Sequence, residues 1–254
     1  MSKIIAANWK MNKGCQEAED AAKKIEAAVS AGSVLADRTL MIFPPFVSLA
    51  VVAKHVSHCS RTFVGAQNFY PKESGAFTGE ISLPMIAESG AKWVLVGHSE
   101  RRHILGESDA FIAEKTRYAL EHDFGVMLCI GETLEERESG HLRDVFVRQL
   151  ETALLPLKTL PKATLQTSLM IAYEPVWAIG TGKVAGEAEV LDAHKVVKEI
   201  LRFDGFDLSS LPVLYGGSVK PANASQLLSL ANVDGLLIGG ASLDPDSFLK
   251  IANA

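Results

Sequence analysis

The sequence predicts a single-domain α/β fold in which eight parallel strands close into a barrel ringed by helices. Three observations lead there. Short apolar runs and longer amphipathic stretches alternate through eight units, the rhythm of βαβ repeats and hence of a parallel sheet. The runs are continuously apolar, as strands covered on both faces must be. The length, 254 residues, matches the roughly 250 that one large barrel needs. A doubly wound open sheet is the alternative. No linker rich in Pro, Gly or Ser and no shift in composition divides the chain, so residues 1–254 are expected to form one domain.

Each element has a local reason. Ile4 to Ala7 is the first strand, and Ala18, Ala21, Ala22, Ile25 and Val29 mark one face of the helix after it. Thr39 to Phe43 is the second strand, stopped by Pro44-Pro45, with a helix over Phe46 to Val56. Thr62 to Ala66 is the third. Ile81 to Glu88 is a short helix with Gly90 placed to close it. Trp93 to Val96 is the fourth strand, followed by a helix over Ser108 to Glu121. Val126 to Ile130 is the fifth. Thr133 and Glu136 then make a T-x-x-E capping box, opening helical sequence that reaches Leu155 with an interruption near Gly140. Leu169 to Tyr173 is the sixth strand, and Val190, His194, Val197 and Leu201 give the next helix its face. Val213 to Tyr215 is the seventh, with a helix over Pro221 to Leu230. Leu236 to Ile238 is the eighth, and Asp244-Pro245 opens the last helix.

In a parallel barrel the active site lies at the C-terminal strand ends. Those ends carry Asn8-Trp9-Lys10, Gln67-Asn68, His98-Ser99-Glu100, Cys129-Ile130-Gly131-Glu132, Glu174, Gly216-Gly217-Ser218 and Gly239-Gly240. Loop polarity alone explains polar strand ends; it does not explain double glycines on adjacent strands. Without Cβ a backbone can approach an anion and aim N–H groups at it, and loops seven and eight of such barrels often hold phosphate. His98 differs from the other histidines because it follows a strand directly. If a helix starts there, its N–H groups disfavour the imidazolium and leave a neutral hydrogen-bond donor. Lys10 adds a fixed positive charge.

Glu174 precedes Pro175, which favours extended geometry for it at the end of the sixth strand. The loop beyond is bulky through Val176, Trp177 and Ile179 and then glycine-rich at Gly180 and Gly182, the composition of a dry lid. A carboxylate under such a lid is a candidate general base, with its pKa expected to be raised by desolvation. The plainer reading is a solvated acid beside a surface tryptophan. Gly182-Lys183-Val184 is not a P-loop, since Val184 replaces the Ser or Thr and Trp177 the first glycine.

The bulk numbers exclude several classes. A net charge of −5 argues against nucleic acid as a partner. Cys15, Cys59 and Cys129 are odd in number and far apart, which fits a reducing cytoplasm and no disulfide framework. Residues 1–8 hold too few apolar residues for a signal peptide, and no apolar run approaches the ~18 residues of a membrane span. No zinc-ligand spacing occurs.

Along essentially its whole length the chain resembles the triosephosphate isomerase family. The resemblance is carried by Asn8 to Asn12, Gly65 to Asn68, Gly75 to Glu80, Gly97 to Arg102, Cys129 to Glu132, Ala172 to Gly182, Tyr215 to Val219 and Gly239 to Leu243. It implies a TIM barrel that interconverts dihydroxyacetone phosphate and glyceraldehyde 3-phosphate, with no cofactor and no metal. It further implies that Glu174 is the base, that His98 polarises the carbonyl, and that Lys10 and Asn8 bind substrate. Gly180, Ser218, Gly239 and Gly240 match the phosphate clamp, with Ser99, Glu100 and Thr78 in support. The segment from Asn68 to Glu80 is expected to insert into a second subunit of a homodimer. Gly186 stands where the family often has threonine, and Asp244 where lysine is common; Gly186 bears on the lid hinge. Two rivals differ in what they need. An aldolase-like barrel requires Lys10 as a Schiff-base nucleophile of lowered pKa, detectable by borohydride trapping. A catalytically dead phosphate-binding barrel should lack the base or the histidine.

Overall fold

The computed structural model describes residues 2–178, 185–203 and 206–254. The barrel strands are β1 (Lys3–Asn8), β2 (Arg38–Phe43), β3 (Thr62–Ala66), β4 (Trp93–Val96), β5 (Gly125–Ile130), β6 (Leu169–Tyr173), β7 (Val213–Tyr215) and β8 (Gly235–Ile238). All pair in parallel with their sequence neighbours, and β1 closes the ring against β8 with Ile5 opposite Leu236. The open-sheet alternative is thereby removed.

The continuous apolar runs follow from two cores. Ala6, Met41, Phe43, Leu95, Met127, Cys129, Met170, Ala172, Leu214 and Leu237 fill the barrel interior. The residues between them, such as Ile5, Ala7, Ile42, Val94, Leu128 and Ile171, face the helices in a second, larger layer. Alternation along a strand therefore separates two buried faces, and no polar stripe appears.

The helices are α1 (Cys15–Ser30), α2 (Phe46–Val56), α3 (Leu83–Glu88), α4 (Ser99–His103), α5 (Asp109–Glu121), α6 (Leu134–Glu138), α7 (Leu142–Leu154), α8 (Lys162–Ser168), α9 (Glu187–Ile200), α10 (Pro221–Ser229) and α11 (Pro245–Ala252). The capping box at Thr133 and Glu136 forms, and Gly140 at φ +74° separates α6 from α7. Asp244 caps α11 by accepting the N–H groups of Asp246 and Ser247.

Three details differ from the sequence expectation. Helix α3 starts at Leu83, not Ile81, because the Ile81 carbonyl accepts the Tyr70 N–H at 2.9 Å and holds that residue in the loop. The short helix α8 and a small antiparallel hairpin, Arg202–Phe203 with Phe206–Asp207, were not anticipated, being too short for a periodic signal. Among the described residues no helix is long and apolar enough to cross a membrane.

Candidate active site

The turn from β4 into α4 sets the geometry. Gly97 takes φ +73°, a left-handed conformation open to glycine, and turns the chain so that His98 caps α4. The His98 Nδ1 accepts the Glu100 N–H at 3.2 Å, which leaves the ring proton on Nε2. That nitrogen lies 2.9 Å from Glu174 Oε1. The Ser99 N–H, another donor at the same helix end, reaches Glu174 Oε2 at 2.8 Å. The helix start that the His98 reading required is therefore present.

Glu174 is 2% exposed and sits one residue beyond β6, its own N–H still bound to the Ile130 carbonyl at 2.7 Å. Burial pushes its carboxyl up, as expected. The His98 ring, the Ser99 N–H and the Lys10 charge outweigh burial and hold it below the ordinary carboxylate range. The expectation of a raised pKa is corrected by these partners. For His98, burial pushes the ring down, but the Glu174 carboxylate pulls it up, and the net direction is up. The helix N–H favours the neutral ring as anticipated; the carboxylate opposes it.

Lys10 adopts φ +51°, unusual for a residue with a side chain. Its N–H is taken by Asn8 Oδ1 at 3.0 Å, and its carbonyl accepts Gln67 Nε2 at 2.9 Å. Its ammonium lies 2.7 Å from Glu100 Oε1. Its stem passes over Gly239, where an added Cβ would stand 3.4 Å from Lys10 Cε. Lys10 thus lines the same cavity as Glu174 and the glycine loops.

Asn8, Lys10, His98, Glu100, Glu174, Ser218, Gly239 and Gly240 line one cavity of about 550 Å³ at the C-terminal mouth of the barrel. Gly216 and Gly217 join them. A Cβ on Gly216 would come within 3.0 Å of Glu174 Cγ, so the glycine loop packs directly on the Glu174 side chain. Ser99 contributes through its backbone. Thr78 stands exposed on its loop and does not line the cavity. Gly180, with Ile179 to Val184, lies outside the described residues. Among the described residues no group of three or more His, Cys, Asp or Glu side chains is placed to hold a metal ion.

Sequence reasoning passed over some contributors. Gln67 was noted at a strand end, but its two bonds, to the Lys10 and Phe43 carbonyls, were not legible. Glu132 is fully buried, and one of its oxygens receives the Tyr173 hydroxyl, the Trp177 indole N–H and Arg137 at 3.1, 2.9 and 3.1 Å. Burial nonetheless pushes its carboxyl up. The tryptophan of the loop after Glu174 is therefore anchored to the segment just beyond β5. The only sequence signal was an acid at a strand end.

The family model for triosephosphate isomerase matches residues 3–254. The triosephosphate isomerase of Oleidesulfovibrio alaskensis is 53% identical over 252 residues, 99% of each chain. That of Lawsonia intracellularis is 48% identical over 255 residues, 100% of this chain and 98% of its own. That of Porphyromonas gingivalis is 44% identical over 254 residues, covering 99% and 98%. The relatives share the barrel's full length, and the chain belongs to the triosephosphate isomerase family.

Proposed function

We propose that the chain is the isomerase that interconverts dihydroxyacetone phosphate and D-glyceraldehyde 3-phosphate, the step used in glycolysis and gluconeogenesis. One observation carries the reading: a buried carboxylate, Glu174, faces the Nε2 of His98 at 2.9 Å in a cavity shared with Lys10 and two glycine-rich loops.

The chemistry follows from these groups. Glu174 removes a proton from the carbon beside the carbonyl and returns it to the neighbouring carbon. To do so it exchanges its bonds to His98 and Ser99 for the substrate. The freed His98 Nε2–H then donates to the oxygen where charge develops, and Lys10 stabilises the same enediolate. Asn8 holds the turn that presents Lys10. The N–H groups around Ser218, Gly239 and Gly240, with Gly180 of the lid, bind the phosphate. Glu100 fixes Lys10, and the Ser99 N–H fixes the resting base. Proton transfer between carbons is acid–base chemistry that these side chains supply, so the reading calls for no cofactor or metal.

The same reading takes residues 1–254 as a single (β/α)8 catalytic domain working in the cytoplasm as a homodimer. The segment from Asn68 to Glu80 would dock on a second copy, with Thr78 supporting Asn8 and Lys10 across the interface.

The test is a coupled assay with dihydroxyacetone phosphate on the purified protein and on Glu174→Asp and Glu174→Gln. The Asp variant keeps the charge but withdraws it by about one methylene from a transfer that needs roughly 2.6–3.2 Å, so kcat should fall by orders of magnitude while circular dichroism is unchanged. Near-parental turnover in either variant would remove Glu174 from the role.

A further inference from the structure

The pairing of β5 with β6 ends at Ile130 opposite Tyr173. Beyond it the two chains stay in contact. The Ile130 carbonyl accepts the Glu174 N–H at 2.7 Å, and the Glu132 carbonyl accepts the Val176 N–H at 3.2 Å. Residues 130–132 are therefore the track that holds the backbone of residues 174–176. At the middle of the track is Gly131. A Cβ there would overlap the Glu174 carbonyl oxygen, so the two backbones touch without a side chain between them. Any shift of Gly131 is passed to Glu174 directly.

The N–H and C=O of Gly131 are both taken by one side chain. Gln149 of α7 accepts the Gly131 N–H on Oε1 at 2.9 Å and donates from Nε2 to the Gly131 carbonyl at 3.0 Å. Gln149 is 3% exposed, on a helix face otherwise made of Val145, Phe146, Leu150 and Ala153. A buried amide in that setting is unfavourable unless both ends are bonded. Here both ends go to the same residue, which fixes Gly131 in position and in orientation. Gln149 does not line the cavity.

We propose that Gln149 is a positioning residue for the reaction: its amide clamps Gly131, and Gly131 sets the backbone from which the Glu174 carboxylate is aimed. This rests on Glu174 being the base. The phosphate loops leave β7 and β8; Gly216 of the first packs on the Glu174 side chain, but the Gln149 amide bonds Gly131 and neither loop. Losing the clamp should therefore weaken proton transfer and leave phosphate binding alone.

The experiment compares the parent with Gln149→Met, of similar volume and without polar ends, and with Gln149→Glu. A neutral carboxylic acid offers one acceptor and one donor, as the amide does; ionised, it turns a charge on the Gly131 carbonyl. We expect Gln149→Met to lower kcat by roughly 10- to 100-fold, the effect of a small misplacement of a reacting group, with KM and competitive inhibition by inorganic phosphate unchanged. Burial should raise the carboxyl pKa in Gln149→Glu, so over a scan from about pH 6 to about pH 9 its kcat should be near parental at the acid end and fall away as the pH rises. Parental kcat in Gln149→Met overturns the proposal. So does a loss of kcat accompanied by an equal loss of phosphate binding, which is general loosening. If Gln149→Met does not fold, Gln149→Glu decides, and a pH profile parallel to the parent's overturns the clamp. Glu174→Gln is run alongside. If it keeps full turnover, the base assignment fails first; if it is inactive while Gln149→Met is parental, only the clamp fails.

Discussion

Glu174 illustrates what a single residue's surroundings can reverse. Its place at a strand end before Pro175 was legible, and so was its burial. The direction of its pKa was not, because His98 lies 76 positions away and meets it only in the folded barrel. Another histidine, His194, shows the opposite balance. It is fully buried on α9, and one ring nitrogen bonds the Asn232 carbonyl at 2.8 Å. Burial pushes its pKa from 6.5 down to about 4, against the pull of that carbonyl. Above pH 6.5 the ring is neutral in both the folded and the unfolded chain and contributes no pH dependence. As pH falls from 6.5 toward about 4 the unfolded chain takes up the proton first, so the folded state loses stability across that window. The loss should approach roughly 3 kcal/mol by its lower end. Urea unfolding of the parent and His194→Gln at several pH values checks this. The stability gap between them should narrow as the solution is acidified, and a constant gap would show that His194 does not titrate on unfolding.

Among the elements, the long ones announced themselves and the short ones did not. Apolar runs located the eight strands to within about two residues, and the α1 and α9 faces were legible as periodic stripes. Helix α4 has five residues, too few for periodicity, yet its Ser99 N–H holds the Glu174 carboxylate and its Glu100 N–H is capped by His98. Its existence could only be posed as a condition on His98. Caps read better than interiors, as Thr133 and Asp244 show. Asp244 is also the position at which the family resemblance led us to expect lysine. Its side chain accepts the Asp246 and Ser247 N–H groups at 3.2 and 3.1 Å and starts the helix that follows the glycine loop of β8. Asp244→Lys removes that cap and places a cation at a helix N-terminus, at a cost of about 1 kcal/mol. Chemical denaturation should show the loss, and kcat should not change, since Asp244 does not line the cavity. A fall in kcat without a fall in stability would give Asp244 a role in the site.

For the whole molecule, closure of the barrel was legible from the number of βα units, whereas a second subunit was expected only from the family resemblance. The mouth carries apolar side chains that the barrel does not bury. Met11, next to the strained Lys10, is 95% exposed, and Val47, Phe77, Met85, Ile104 and Leu105 are exposed as well. Met11, Leu105, Phe77 and Met85 are linked through shared grooves. Met11 and Leu105 flank one groove, Leu105 and Tyr70 a second, and Tyr70, Phe77 and Met85 a third. Contiguous apolar surface of this kind is unfavourable on a lone subunit and suits the proposed pairing with a second copy. That pairing makes a specific forecast for Met11→Glu. On an isolated subunit a charge at so exposed a position is nearly neutral, within about 0.5 kcal/mol. In a dimer the same charge is buried against apolar groups without a partner and drives the subunits apart. Sedimentation should therefore show the parent as a dimer at micromolar concentration and the variant as a 27.3 kDa monomer. Activity should separate them too. Lys10 keeps its φ of +51° through contacts from Asn8 and Gln67, and the variant would lose whatever Thr78 of the partner subunit adds. Its specific activity should fall on dilution at concentrations where the parent's is constant. A parent that sediments as a fully active monomer would leave the mouth's apolar surface without this partner.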